Sequence, residues 1–138
     1  MKILLTGGSG FVGRHLVKAL APNDLVLLGR SRAHDFTGTW FCSEIDGQSN
    51  FSECLVGIDI VVHCAGRAHI TNEINSDPIG MYRAVNCEGT ENLAKQSAIA
   101  GVKRFIFIST IKVLGEQTEP GQAFRSDDPF NPQDPYSI

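Results

Sequence analysis

The chain has 138 residues, of which 12 are basic and 15 acidic, so its formal net charge is −3. This length fits about one domain, and a content of 42% hydrophobic and 20% charged residues is ordinary for a globular protein. The mild acidity excludes a general electrostatic surface for nucleic acid, and no apolar run approaches the roughly 20 residues needed to span a bilayer. We therefore expect neither nucleic acid nor a membrane as a partner.

The amino terminus and the cysteines indicate a cytoplasmic protein. The first apolar run, residues 1–5, continues directly into Thr6 and two glycines, without the small-residue cleavage site of a signal peptide. The four cysteines stand far apart and include no pair at zinc-ligand spacing, so we expect reduced thiols and no metal site.

Strand and helix patterns alternate along the chain. Apolar runs predict strands at 2–6, 24–29, 39–42, 58–64 and 103–109, and helical spacing predicts helices at 10–20, 50–56 and 82–100. The strand at 58–64 is a continuous, β-branched run of the kind that is buried on both faces of a parallel sheet. From Gly115 onward the chain is polar and rich in proline. This alternation predicts the α/β class, with a doubly wound parallel sheet.

The first strand ends in a glycine-rich turn, residues 6–13, which leads directly into the first predicted helix. The turn can be read as Gly7, Gly10 and Gly13 or as Gly8, Gly10 and Gly13. Glycine permits a tight turn and lets the backbone approach a pyrophosphate, whose charge is favoured at a helix amino terminus. A turn without a ligand also favours glycine, but the position between an apolar strand and an amphipathic helix favours dinucleotide binding.

The residues after the second strand leave NAD and NADP open as cofactors. The acidic residue that would bind a ribose 2′-hydroxyl is missing there, and Arg30 and Arg32 follow Gly29 instead. Two guanidinium groups suit a 2′-phosphate, although they could equally be ordinary surface arginines. We therefore expect NAD or NADP, with a slight preference for NADP.

Five motifs in a fixed order point to one family. They are the glycine turn at 7–13, the strand at 59–66, the asparagine motif at 85–90, the strand end at 107–115 and the Asp-Pro-Tyr segment at 134–136. Together they resemble the extended short-chain dehydrogenase/reductases, in particular the NAD-dependent epimerase/dehydratase family of nucleotide-sugar enzymes. The segments 44–47 and 109–113 are most similar to bacterial polysaccharide-cluster members that act as UDP-sugar 4-epimerases or 4-ketosugar reductases.

The resemblance implies a Rossmann-type NAD(P)-binding fold, truncated before the carboxyl-terminal substrate part. Residues 1–138 would form the NAD(P)-binding domain, with 115–138 as a proline-rich active-site segment. The expected cofactor-binding residues are Gly7, Gly10, Phe11, Val12, Gly13, Arg30, Arg32, Glu44, Ile45, Ala65, Gly66 and Asn86. Asp46 is an offset alternative to Glu44, and Asn86 could equally serve a structural hydrogen-bond network.

The resemblance also implies the catalytic residues. Tyr136 would be the acid/base, and Thr110 would supply the hydroxyl of the family's Ser/Thr–Tyr–Lys triad. The family's lysine, four residues after the tyrosine, has no counterpart here because the sequence ends at Ile138. A tyrosine has an ordinary pKa of about 10, and a nearby cation favours its phenolate. We therefore expect the 138-residue chain to bind its cofactor and to be inactive by itself.

The functional expectation follows from these residues. The chain is expected to be the cofactor-binding portion of a UDP-sugar 4-epimerase that acts by reversible hydride transfer to NAD(P). The alternatives are a UDP-4-ketosugar reductase or sugar dehydratase of the same family, or a non-catalytic NAD(P)-binding module. The expected partners are a nucleotide-sugar substrate and, for the full-length parent, a second copy in a homodimer. His63, inside an apolar strand, is expected to be a core histidine.

Overall fold

The computed structural model describes residues 1–21, 23–68 and 77–138. Within these ranges five strands form one sheet: β1 Lys2–Thr6, β2 Asp24–Leu28, β3 Thr39–Phe41, β4 Ile60–His63 and β5 Arg104–Phe107. The spatial order is β3-β2-β1-β4-β5, and every neighbouring pair is parallel. The chain therefore winds outward in both directions from the β1–β4 pair, which confirms the predicted doubly wound sheet.

The helices follow the predicted alternation with one irregularity. Helix α1 spans Phe11–Leu20, and a second helical stretch consists of α2 Pro78–Tyr82, a π-helical segment Arg83–Gly89 and α3 Thr90–Ile99. The Asp77 carboxylate caps this stretch by accepting a hydrogen bond from the Gly80 amide at 2.9 Å. No helix in the part of the chain that the structure describes is long and apolar enough to cross a membrane.

The helix predicted at 50–56 is wrong, because this segment is a succession of turns. The Asn50 side chain accepts a hydrogen bond from the Ser52 amide at 2.9 Å, and the Phe51 amide donates to the Gln96 side chain at 2.7 Å. Such side-chain bonds satisfy backbone donors without a helix. The apolar spacing reflects the burial of Phe51 and Leu55 in the core.

The core lies on both faces of the sheet. Leu4 packs in the layer that includes Leu93 of α3, whereas Leu5 packs in the opposite layer, against which Val17 of α1 also rests. Successive residues of a strand point to opposite faces, so the unbroken apolar run of β1 serves both layers. Each of these fully buried leucines contributes about 1.5–3 kcal/mol of hydrophobic free energy.

A buried hydrogen-bond network joins the carboxyl ends of β1 and β4. The Thr6 hydroxyl oxygen accepts hydrogen bonds from the amides of Cys64 at 3.2 Å and Ala65 at 3.1 Å. Its own hydrogen therefore goes to Nδ1 of His63, 2.6 Å away. This leaves Nε2 of His63 as the protonated nitrogen, which donates to the Thr90 hydroxyl at 2.9 Å. His63 is completely buried and hydrogen-bonded at both nitrogens, which confirms its prediction as a core histidine.

Gly7 is required where β1 ends because the backbone of the β4 end lies against it. Gly7 has φ +70°, and a Cβ at this position would lie 2.7 Å from the Ala65 nitrogen. Gly57 has the same φ but nothing within 4 Å of its Cβ position. Substitution of Gly57 therefore tests the left-handed backbone alone, whereas substitution of Gly7 tests the left-handed backbone together with the close contact.

We predict that Gly57→Ala lowers the free energy of unfolding by about 1–2 kcal/mol, because only the backbone conformation is penalised. Gly7→Ala is expected to lower the free energy of unfolding by about 1–3 kcal/mol more than Gly57→Ala does, because the backbone of Ala65 must also move. Urea unfolding followed by circular dichroism measures both. Equal losses in the two variants would show that the contact between Gly7 and Ala65 is not tight.

Burial of His63 makes the protein's stability depend on pH. Burial lowers the pKa of His63 from 6.5 to about 4. Above pH 6.5 the group is neutral in both states and has no effect. As pH falls from 6.5 towards 4, the unfolded chain binds a proton that the folded chain does not, so the folded state loses stability.

We expect His63→Gln to remove this part of the pH dependence. Between pH 7.5 and pH 4.5 the unsubstituted chain should lose about 2–3 kcal/mol more than the variant, measured by urea unfolding. His34→Gln is the matched control, because the His34 side chain is 88% exposed and pairs with Asp35 on the surface. An identical pH slope in the chain and in His63→Gln would contradict the prediction.

Candidate cofactor and active site

A crevice opens where β1 and β4 end, at the point from which the sheet winds in two directions. The Gly10 amide donates to the Gly7 carbonyl at 3.0 Å, which closes the turn before α1. A Cβ on Gly13 would lie 2.0 Å from the Gly7 oxygen, so the helix packs directly on the turn. Gly10 caps α1 without any side-chain hydrogen bond to the helix amides. The amino end of α1 therefore faces the crevice with amides that can bind an anion.

One part of the crevice extends from the glycine turn towards β2 and β3. This part has a volume of about 280 Å³. Seven of the predicted cofactor-binding residues line it: Gly7, Gly10, Arg30, Glu44, Ile45, Ala65 and Gly66. The Nε atom of Arg30 lies 3.9 Å from a Glu44 carboxylate oxygen, and both side chains are largely exposed. We call it the adenosine cleft, after the half of the dinucleotide that these residues are expected to hold.

The remaining predicted cofactor residues lie elsewhere. Phe11 and Val12 begin α1 with exposed side chains, and Gly13 is buried within that helix. Arg32 does not line the cleft, and its guanidinium donates to the Gly38 carbonyl at 3.3 Å. The structure therefore brings only one of the two arginines to the adenosine cleft.

A second cleft begins where the first one ends. It has a volume of about 420 Å³ and shares Cys64, Ala65, Gly66 and Ala68 with the adenosine cleft. Both predicted catalytic residues, Thr110 and Tyr136, line it, together with Asn86. The two clefts thus adjoin each other at the carboxyl end of β4, and the predicted catalytic residues line only the second one.

Thr110 presents its hydroxyl at the start of a short 3-10 turn, Ile111–Leu114, that follows β5. Its oxygen accepts a hydrogen bond from the Lys112 amide at 3.3 Å. This bond uses a lone pair of the oxygen and not the hydroxyl hydrogen, so Thr110 can still donate to a bound oxygen atom. The residue type and the position both suit a hydrogen-bond donor to a substrate.

Tyr136 is placed by aromatic contacts that sequence reasoning missed. Its ring lies edge-on to that of Tyr82, with 6.3 Å between centroids, and the Arg67 guanidinium carbon lies 5.5 Å from the centroid of the Tyr82 ring. Tyr82 precedes Asn86 by one helical turn, and this spacing was the available signal that the two share a helix face. Nothing in the sequence around Arg67 indicated its contact with Tyr82.

Asn86, in the middle of the π-helical segment, binds the backbone of the loop after β4. Its side-chain oxygen accepts from the Arg67 amide at 2.7 Å, and its side-chain nitrogen donates to the Arg67 carbonyl at 3.0 Å. These two bonds form a structural hydrogen-bond network, which was the alternative role that the sequence left open for Asn86. The residue still lines the second cleft, where it fixes the backbone beside Gly66.

The segment that carries Tyr136 is held by hydrogen bonds and an ion pair of Asp134. The Asp134 carboxylate accepts hydrogen bonds from the Ser137 amide at 2.8 Å and hydroxyl at 2.7 Å, and it pairs with the Lys112 ammonium. The Lys112 and Ser137 hydrogen bonds lower the pKa of Asp134 to about 2, and the Asp134 hydrogen bond raises the pKa of Lys112. Both groups are therefore charged at neutral pH. Both residues lie inside motifs that the sequence analysis named, 107–115 and 134–136, but nothing in the sequence indicated that they pair.

Comparisons with known proteins agree with this geometry. Residues 3–138 match the NAD dependent epimerase/dehydratase family. The chain is 44% identical over 140 residues to a UDP-glucose 4-epimerase of Vibrio cholerae, covering 99% of this chain and 43% of that one.

Two solved structures share the fold over 99% of this chain. One is a short-chain dehydrogenase/reductase superfamily protein from Agrobacterium tumefaciens with bound NAD, with a TM-score of 0.85, 27% identity and 41% of that chain covered. The other is MoeE5 in complex with UDP-glucose and NAD, with a TM-score of 0.83, 26% identity and 44% covered. The chain spans less than half the length of these relatives. It belongs to the NAD-dependent epimerase/dehydratase family.

Proposed function

We propose that this chain is the cofactor-binding portion of a UDP-sugar 4-epimerase, which removes a hydride from one sugar carbon and returns it to the opposite face. The single observation that carries the proposal is the common cleft of Thr110 and Tyr136, which is continuous with the dinucleotide crevice at the end of β4. The Vibrio cholerae relative, a UDP-glucose 4-epimerase, and the MoeE5 complex with UDP-glucose and NAD support the same substrate class.

The residues around the crevice fit a dinucleotide. The absence of side chains at Gly7 and Gly10 leaves the backbone and the amino end of α1 open to a pyrophosphate. Glu44 and Ile45 line the adenosine side, and the small residues Ala65 and Gly66 permit close approach of the ribose at the junction of the clefts. When bound, NAD supplies the acceptor for the hydride.

Tyr136 and Thr110 perform the proton chemistry in this proposal. Tyr136 takes the proton from the sugar hydroxyl as the carbon is oxidised and returns it when the carbon is reduced again. Thr110 donates a hydrogen bond to the same oxygen and holds it in place, since its own oxygen already accepts from the Lys112 amide. A purely binding module requires neither hydroxyl in the cleft, which favours a catalytic role.

Residues 1–138 form the NAD-binding domain in this proposal, and the segment 115–138 contributes Tyr136 to the active site. The nucleotide sugar is the substrate, and the full-length parent acts as a homodimer.

A reducing, cytoplasmic location is supported by four free thiols, those of Cys42, Cys54, Cys64 and Cys87.

We propose NAD as the cofactor in preference to NADP. The contacts do not support the slight preference for NADP, because Arg32 binds the Gly38 carbonyl and Arg30 lies beside the Glu44 carboxylate. A carboxylate at this place accepts hydrogen bonds from ribose hydroxyls and repels a 2′-phosphate.

Isothermal titration of the chain should therefore show binding of NAD about tenfold tighter than of NADP, a difference of about 1.4 kcal/mol. Glu44→Gln is expected to narrow this ratio, because it removes the repulsive charge and keeps the shape. Ser49→Ala, on the same loop but outside both clefts, is the matched control. Tighter binding of NADP by the unsubstituted chain would overturn the preference for NAD.

The catalytic roles are tested in the full product of the gene that encodes these residues. Tyr136→Phe should lower kcat for the conversion of UDP-glucose to UDP-galactose by about 10²–10⁴-fold, because general acid–base catalysis is lost. Thr110→Ala should lower it by about 10–100-fold, in line with the loss of a hydrogen bond to a charged oxygen. Chromatography of the nucleotide sugars measures both, and Thr118→Ala in the exposed loop is the control for loss of a hydroxyl.

The 138 residues by themselves are expected to bind NAD without turnover, because they span less than half the length of the related enzymes. Steady conversion of UDP-glucose by this chain would contradict that expectation.

The full gene product distinguishes the alternative functions. Consumption of a reduced cofactor without epimer formation would favour the reductase, and cofactor binding without any turnover would favour the non-catalytic module.

A further inference from the structure

Two segments that are distant in sequence meet at the catalytic end of the second cleft. The first is the 3-10 turn Ile111–Leu114, which begins just after Thr110, and the second is the stretch 131–138, which carries Tyr136. The relative position of the two hydroxyls therefore depends on what joins these segments.

Lys112 belongs to the first segment and also contacts the second. Its backbone amide donates to the Thr110 hydroxyl at 3.3 Å, and its side-chain ammonium pairs with the Asp134 carboxylate. The other direct tie between the segments is a hydrogen bond of 2.9 Å from the Asn131 amide to the Val113 carbonyl. Lys112 is thus bound at one end to the Thr110 hydroxyl and at the other to the residue two positions before Tyr136.

Asp134 also binds the residue that follows Tyr136. One carboxylate oxygen accepts from the Ser137 amide at 2.8 Å and hydroxyl at 2.7 Å, while the other faces Lys112. Ser137 is buried, so the turn that contains Tyr136 closes on Asp134 from within. The side chains of Lys112 and Asp134 are 36% and 31% exposed, so water screens their attraction less than that of a fully exposed pair.

The chain between the two segments offers little other support. Residues 115–130 contain only turns and irregular backbone, and most of their side chains are exposed. An exposed connection of this kind does not by itself fix the segment that follows it. The position of Tyr136 therefore depends on three contacts among the described residues: the ring of Tyr82, the Asn131–Val113 hydrogen bond and the Lys112–Asp134 pair, which is the one that attaches beside the tyrosine.

We propose that Lys112 is a positioning residue that, through its ion pair with Asp134, holds Tyr136 in the cleft that Thr110 also lines. The proposal rests on the proposed acid–base role of Tyr136. Lys112 acts here through Asp134 and is not in contact with the reacting atoms.

The chain provides a matched set of variants. Lys112→Met and Asp134→Asn remove the ion pair, and Asp134→Asn keeps an oxygen that can accept from Ser137. Lys112→Arg retains the charge. Glu116→Gln removes the other carboxylate that pairs with Lys112, 3.0 Å away, without altering the tyrosine segment.

The first experiment reports the position of Tyr136 directly, by fluorine NMR of the chain labelled with 3-fluorotyrosine. The sequence contains two tyrosines, so Tyr82→Phe assigns the Tyr136 resonance. Lys112→Met and Asp134→Asn should shift this resonance towards that of free fluorotyrosine and abolish its response to NAD, whereas Lys112→Arg and Glu116→Gln should preserve both. An unchanged Tyr136 resonance in Lys112→Met or Asp134→Asn would overturn the proposal.

The second experiment measures kinetics in the full gene product. Lys112→Met should lower kcat for UDP-glucose by about 10–100-fold, the usual effect of misplacing a catalytic group, with KM changed by less than about twofold. Lys112→Arg should restore most of kcat. If kcat is unchanged in Lys112→Met while Tyr136→Phe is inactive, the positioning role is wrong and the proposed function stands. Full activity of Tyr136→Phe would instead refute the proposed function, and the fluorine resonance still decides whether Lys112 positions the tyrosine segment.

Discussion

The close approach of the β1 and β4 ends is the constraint on which the rest of the structure depends. Gly7 and Ala65 are in such close backbone contact that a side chain on Gly7 would displace the β4 end. The buried Thr6–His63–Thr90 hydrogen bonds hold the same two strand ends and the beginning of α3 together. Because each of these polar groups has a partner, the network secures the junction without the penalty of an unsatisfied buried group.

This junction also determines where chemistry can occur. Residues 64–66 and Ala68, just after β4, line both clefts, so the cleft beside the glycine turn adjoins the cleft of Thr110 and Tyr136. Asn86 binds the backbone amide and carbonyl of Arg67, next to these residues. The π-helical segment that contains Asn86 adds a local widening of the helix, a feature that often occurs at functional sites. Parallel sheets of this winding bind ligands at the same place for the same reason, since the crevice opens where the strand order reverses.

The segment that carries Tyr136 is held by a different kind of interaction. The sheet core is apolar and tightly packed, whereas the Tyr136 segment is joined to it by hydrogen bonds and by the partly exposed pair of Lys112 and Asp134. A few polar contacts of this kind define a position and stabilise it much less than a core does. A closely packed junction of β1 and β4 is thus combined with a Tyr136 segment that is attached through polar and charged contacts.

The sequence by itself determined the sheet and the identity of most groups in the two clefts. Continuous apolar runs predicted β1, β2 and β4, because strands buried on both faces need no polar alternation. The same kind of run predicted β5, although this strand stands at the end of the described sheet and is largely exposed. The glycine spacing predicted the turn at β1, and the motif order predicted Thr110 and Tyr136 as the reactive hydroxyls. The same reasoning failed at 50–56, where burial of Phe51 and Leu55 imitated helical spacing.

Only the tertiary structure decided which of these residues share a cleft and what holds them. It brought Arg30 to the adenosine cleft and turned Arg32 towards Gly38, although the two residues are equivalent in the sequence. It also revealed the contacts of Tyr82 with Tyr136 and of Lys112 with Asp134. The physical reason is that local patterns record which residues are apolar or can bend, whereas contacts between distant side chains depend on sheet order and loop paths.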